Sequence, residues 1–167
     1  MKFPTIFKNG VWHTTTKDRF ELILKDGFIL PDPPIDNSER WGTFSGPEHY
    51  PLVRCLDGVS LFDFRNFSVK EYSKKYPLSS WNEFVPFSRT KNSTIWLKFD
   101  PEEISDNFID GKDLLSIWHE LKAYGRSIMP IIETAHIGPL STSLIKCIIN
   151  YNKANKKFEK VNKQLIA

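Results

Sequence analysis

Apolar residues recur along this chain in short blocks of period two or of period three to four, separated by stretches rich in proline and glycine. Gly10 to His13 is a short apolar segment, and Thr14–Thr16 leads from it into a helical pattern. Phe20, Ile23 and Leu24 stand at i, i+3 and i+4 and form one apolar stripe. The Thr16 hydroxyl can accept from a first-turn amide that has no other partner. Gly27 supplies a left-handed residue to end the helix. The pattern therefore predicts a strand–His–Thr–Thr–helix unit over Val11–Gly27. Phe28, Ile29 and Leu30 then run into Pro31-Asp32-Pro33-Pro34, which has no helical continuation.

Residues 31–56, broken by Pro31, Pro33, Pro34, Gly42, Gly46, Pro47 and Pro51, read as a long irregular segment. Loops of that length inside a compact domain are commonly functional, and this one carries Arg40, Trp41, Phe44, His49 and Tyr50. Val59–Phe64 alternates and predicts a strand, Val69–Tyr76 a short helix, and residues 77–92 a second loop with Trp81, Phe84, Phe87 and Arg89. Thr94–Phe99 predicts a strand with Ile95, Leu97 and Phe99 on one face. Asp100–Glu103 starts a helical turn, and Leu114–Tyr124 reads as a helix ended by Gly125. Ser127–Glu133 is expected to be a strand whose Pro130 marks an edge or a bulge. Leu144–Asn150 is expected to be the last strand. A polar, basic helix is expected from about residue 152 to 165, with Phe158, Val161 and Leu165 on one side. Few βαβ units in this order argue for the α+β class.

A chain of 167 residues fits one domain, here 1–167 with its core at about 11–150. Forty per cent hydrophobic and 14% aromatic residues suffice for a core and leave rings to line a cleft. No run approaches the roughly 18–20 apolar residues of a membrane span, and the first ten residues lack the apolar region of a secretory signal. The expectation is a cytoplasmic protein with no membrane partner. Cys55 and Cys147 can pair in principle, but without an export signal two reduced, mostly buried thiols are expected. The net charge of +3 permits a nucleic-acid partner without arguing for one. Lys146, Lys153, Lys156, Lys157, Lys160 and Lys163 crowd the C-terminal end against a single acid, Glu159. That crowding suits either a solvated face or a surface for an anionic partner.

The chain has no P-loop, GxGxxG, GxSxG, HExxH or CxxC pattern. His13, His49, His119 and His136 show no metal-ligand spacing, so no metal site is expected. Two places retain chemistry. At Trp12-His13-Thr14-Thr15 a ring nitrogen can donate to a ligand oxygen while helix-start amides face an anion. The same residues also suit plain helix capping beside a satisfied ring. At Pro130–Ser141, Glu133 sits where an apolar strand runs out, ahead of His136 and Gly138-Pro139. A carboxylate there can orient a hydroxyl or stabilise a developing cation, or it is simply an exposed strand terminus.

Taken together, WHTTTKDRFELILKDGFILP, VSLFDFRNFSVKEY and IIETAHIGPLSTSLIKCII resemble, in that order, the ADP-ribosyltransferase superfamily. The resemblance is to its small bacterial branch of nucleic-acid-modifying toxins and, more remotely, to the tRNA 2′-phosphotransferases. It spans Val11 to Asn150 through short, degenerate motifs. It implies small mixed or antiparallel sheets around a central cleft, with NAD as substrate and a macromolecular acceptor such as DNA or RNA. Carried over by position, His13 contacts an NAD ribose, Thr14 and Thr15 support that contact, and Glu133 is the catalytic acid residue. Phe62 or Phe64 is placed to stack on nicotinamide or to fill the core, and Ser60 stands on the same strand. Arg40, Arg54, Arg65 and Arg89 are candidates for the pyrophosphate, with Arg54 and Arg89 favoured. Two departures stand out: the middle strand lacks a clear Tyr, and Ile131 occupies the position two before Glu133. The second speaks against modification of protein arginine. Phosphotransfer from RNA to NAD, or a non-enzymatic binding module using the aromatic loops, are the competing readings. Convergence of His13 with Arg54, Arg65 and Arg89 favours the former, and wide separation of His13 from Glu133 the latter.

Overall fold

The computed structural model describes residues 3–79, 81–85 and 93–162. Its strands are β1 (Val11–Thr15), β2 (Phe28–Ile29), β3 (Gly58–Asp63), β4 (Ser93–Phe99), β5 (Phe108–Ile109), β6 (Glu133–Ile137), β7 (Leu140–Ser141), β8 (Cys147–Asn152) and β9 (Lys157–Val161). Seven of them form one sheet in the order β5-β6-β3-β1-β4-β8-β9, and β2 with β7 makes a separate ribbon. Every pairing is antiparallel. The helices are α1 (Lys17–Asp26), the single turns α2 (Leu52–Cys55) and α4 (Trp81–Phe84), α3 (Val69–Lys75) and α5 (Gly111–Glu120). The fold is α+β with a predominantly antiparallel sheet. One large antiparallel sheet and a two-stranded ribbon thus stand where small mixed or antiparallel sheets were expected.

Strand alternation divides the core between the two faces of the sheet. One face gathers Trp12, Phe62, Trp96, Ile149 and Tyr151 with Phe3 and Phe7 from the segment ahead of β1. The other gathers Val11, Leu61, Leu97, Phe99 and Ile148 beneath Phe20 of α1. Ile95, Leu97 and Phe99 do share one face, as their spacing predicts. A third cluster joins Leu52 and Val53 of α2 to Leu114 of α5 and Ala135 of β6.

The opening unit forms as its pattern requires. Thr16 caps α1 by accepting from the Arg19 amide, and Gly27 closes it at φ 75°. Several elements depart from expectation. Ser127–Glu133 is not a strand: Pro130 has no amide to donate, Ile131 takes a positive φ of 69°, and the chain turns there. The strand therefore begins at Glu133, where it was expected to end. The helix placed at Leu114–Tyr124 starts at Gly111, because Asp110 caps it by accepting from the Lys112 and Asp113 amides. It stops at Leu121, where Lys122 rather than Gly125 takes the left-handed conformation. The strand placed at Leu144–Asn150 begins at Cys147, since Thr142–Leu144 is a 3-10 turn. Residues 31–56 hold two 3-10 turns and α2.

The basic C-terminal helix is also corrected. Asn152 and Asn155 side chains accept from the Ala154 and Lys157 amides, which bends residues 152–157 into a hairpin turn. Phe158 then packs on Tyr151, with ring centroids 4.7 Å apart, and β9 returns along β8. Lys163 and Leu165 lie outside the described residues. Cys55, expected to be buried, is exposed, and Cys147 is half-buried. Among the described residues no helix is long and apolar enough to cross a membrane.

Candidate active site

The site lies where the large sheet splits. β1 pairs with β3 at only two positions, Val11 with Asp63 and Trp12 with Phe62. Beyond Trp12, β1 continues against β4 as far as Thr15, while β3 stays with β6 from Phe62 to Gly58. The two halves part, and a cleft of about 440 Å³ opens between them. That volume falls within the ordinary range for ligand pockets.

His13 bridges the start of the split. Its Nδ1 lies 3.0 Å from the Ser60 carbonyl oxygen. A carbonyl only accepts, so Nδ1 carries the proton and a neutral ring leaves Nε2 as an acceptor. Burial lowers the imidazole pKa and outweighs the opposing hydrogen bond to Ser60. A neutral ring has a single N–H and Ser60 takes it, so His13 does not donate to a ligand as expected. What His13 offers the cleft is a lone pair.

Glu133 meets the same residue from the other side. Its Oε1 accepts from the Ser60 hydroxyl at 2.8 Å, and its Oε2 from the Met129 amide at 2.8 Å. The side chain is buried, with only 5% of its surface exposed, yet the residue borders the cleft. Burial raises the carboxyl pKa, against the two hydrogen bonds that lower it. The Tyr72 hydroxyl, whose pKa burial pushes up to about 12, feels the Glu133 charge and donates to or accepts from Ser79. Ser60, one of several candidates on its strand, thus joins both predicted groups: its carbonyl takes His13 and its hydroxyl takes Glu133.

Thr14 and Thr15 line the cleft, and the buried Thr14 hydroxyl has no hydrogen-bond partner among the described residues. Phe62 reaches the cleft while remaining core. Phe64 does not: it is fully buried and stacks on Phe62, with centroids 6.0 Å apart. Its role as a ligand platform is replaced by packing. The exposed wall is aromatic instead through Trp41, whose ring meets Phe84 edge-on at 4.7 Å.

Among the described residues three arginines face the opening. Arg54 lies over the Tyr50 ring at 4.1 Å and donates from Nη2 to Asn37 at 3.0 Å. Its Nη1 is buried without a partner among the described residues. Arg40 is tied to Asp32 and to the Pro31 carbonyl, and its guanidinium holds the Asp32 carboxyl below the usual range. Arg19, on α1, gave no signal in the sequence apart from its place in the first turn after Thr16. It also lines the cleft, where it pairs with Glu39. Arg65 is elsewhere, forked onto Asp63 beside a separate cavity. Arg89 falls outside the described residues. His136 borders neither arginine cluster nor cleft and contacts the Gly138 carbonyl.

The arrangement offers a neutral imidazole acceptor, a desolvated carboxylate and unmatched donors above an apolar floor. No model of a known protein family matches this chain, and no curated protein does.

Proposed function

We propose that the chain is an NAD-consuming ADP-ribosyltransferase that modifies a macromolecule, with Glu133 as the catalytic carboxylate. The observation that carries this reading is the meeting of His13 and Glu133 on one residue, Ser60, at the floor of one cleft. A binding module that used only its aromatic loops has no need of that convergence.

NAD supplies a glycosidic bond whose cleavage leaves positive charge on a ribose. Glu133 is suited to stabilise that charge, because a carboxylate in a water-poor site acts through a low local dielectric. Its two donors, Ser60 and Met129, fix its orientation before any ligand arrives. His13 Nε2 accepts from a ribose hydroxyl. Arg54 and Thr14, each with an unmatched donor, fit the oxygen-rich pyrophosphate and sugar. Phosphotransfer is less well supported, because it needs basic groups gathered on one phosphate and Arg65 is engaged with Asp63 outside the cleft. The lysines of the β8–β9 hairpin, Lys153, Lys156, Lys157 and Lys160, favour DNA or RNA as the acceptor.

The test is release of nicotinamide from NAD by the purified chain with nucleic acid present. Glu133→Ala is expected to lower the rate by about 10²–10³-fold, the loss seen when one preorganised electrostatic group is removed. Retained activity in that variant sinks the assignment.

A further inference from the structure

The turn that delivers Glu133 is strained, and a second element holds it. Ile131 is β-branched and sits at φ 69°, a conformation such residues rarely adopt. Around it the Ile132 amide donates to the Pro130 carbonyl at 2.8 Å, closing a three-residue turn of the uncommon positive-φ kind. The Glu133 amide donates to Met129 at 2.9 Å, and the Met129 amide returns the contact to the Glu133 carboxylate at 2.8 Å. Backbone and side chain of Glu133 therefore both close on the same five residues.

Strain of this kind persists only where the surroundings overdetermine it. The neighbour that does so is Gly111. A methyl group built on Gly111 would stand 1.8 Å from the Ile131 carbonyl oxygen and 2.4 Å from its carbon. An ordinary carbon–oxygen contact is about 3.3 Å. The chain reaches this point directly from β5, whose Phe108 and Ile109 pair with His136 and Ala135 of the strand that carries Glu133. Asp110 then caps α5 and fixes where the helix starts. Gly111 does not have a positive φ, so it is the close approach that requires a glycine here.

We infer that Gly111 is a positioning residue for Glu133: the bare start of α5 seats on the Ile131 carbonyl and locks the turn that holds the carboxylate under the Met129 amide. This rests on the reading of Glu133 as the reacting group. The position of the carboxylate can nevertheless be measured without turnover.

Gly111→Ala forces the Ile131 carbonyl away by about 1.5 Å. In that variant kcat for nicotinamide release is expected to fall about 10²-fold, the usual penalty for an ångström of misplacement, with KM for NAD changed less than about threefold. In parallel, carbon-detected NMR titration of the Glu133 carboxyl is expected to move to higher pH as the Met129 amide is lost. Tyr72, the titratable group that feels the Glu133 charge, is unchanged in the variant. If Gly111→Ala does not fold, the double variant Gly111→Ala/Ile131→Gly gives the turn freedom to move off the new methyl group. The same two changes are expected there, measured against Ile131→Gly alone as the reference. A folded single or double variant with its reference's kcat and an unmoved Glu133 titration overturns the inference. A moved titration in a protein that never cleaves NAD upholds it and rejects the enzymatic reading instead.

Discussion

Burial works on the two central titratable groups in opposite directions. Glu133 in the folded chain releases its proton at higher pH than in the unfolded chain, whose ordinary value is 4.5. As pH rises from there through the raised folded value, the folded state holds the extra proton, so stability falls and stays lower at neutrality. His13 is lowered from 6.5, so the unfolded chain takes up its proton first and stability falls as pH drops below that value. Glu133→Gln removes the first slope and leaves the second. Gln also satisfies both neighbours, since its oxygen accepts from Met129 while its amide donates to a rotated Ser60 hydroxyl. The variant is expected to melt a few degrees above wild type at pH 7, with the difference disappearing below pH 4.5, by calorimetry across that range. A variant no more stable at pH 7 than at acid pH, relative to wild type, rejects the idea that the carboxylate is held at a cost. Nothing in the residue pattern distinguished a buried Glu133 from an exposed strand terminus, because burial depends on what the Pro130–Ile132 turn packs against.

Among the elements, the strand–helix unit at Val11–Gly27 was the most legible, since its cap, stripe and terminator are all local. Gly27 illustrates why. A methyl group there meets nothing within 4 Å, so the position asks for glycine only through its φ of 75°. Gly27→Ala is expected to destabilise the fold by about 1–2 kcal/mol, the cost of a left-handed L-residue. Urea denaturation should show a lower midpoint with an unchanged slope. The elements that misread were those with two locally acceptable answers. Phe158 and Val161 fit one side of a helix, and Phe158 also fits a strand that packs on Tyr151. The asparagine turn at 152–157 decides for the strand. Ser127–Glu133 was read as a strand from its apolar residues, but Ile131 had to enter a conformation its own side chain disfavours.

Across the whole molecule, the seven-stranded sheet ends in β9, which pairs only with β8 among the described residues. Lys157 and Lys160 are exposed along it, and charged side chains on an edge discourage pairing with another sheet. Replacing both with Val is expected to give a species of higher mass than wild type by light scattering at equal concentration. An unchanged mass would show that the lysines serve another purpose, such as holding an anionic acceptor.

The sequence by itself determined the α+β class, the capped opening unit, the alternation that gives the sheet two apolar faces, and the residues His13 and Glu133 as candidates. All of these rest on periodicity, capping or residue chemistry over a few neighbouring positions. Only the tertiary structure decided that β1 and β3 part after two pairs, that Ser60 joins His13 to Glu133, that Arg19 and Arg40 face the cleft while Arg65 and Phe64 do not, and that Gly111 meets Ile131. Each of these is a contact between segments 20 to 70 residues or so apart in the chain, as in Gly111 with Ile131 or Ser60 with Glu133 at a separation of 73. Local propensity carries no information about such pairs, because their geometry is set by strand register and packing, where shifting by one residue turns every side chain to the other face.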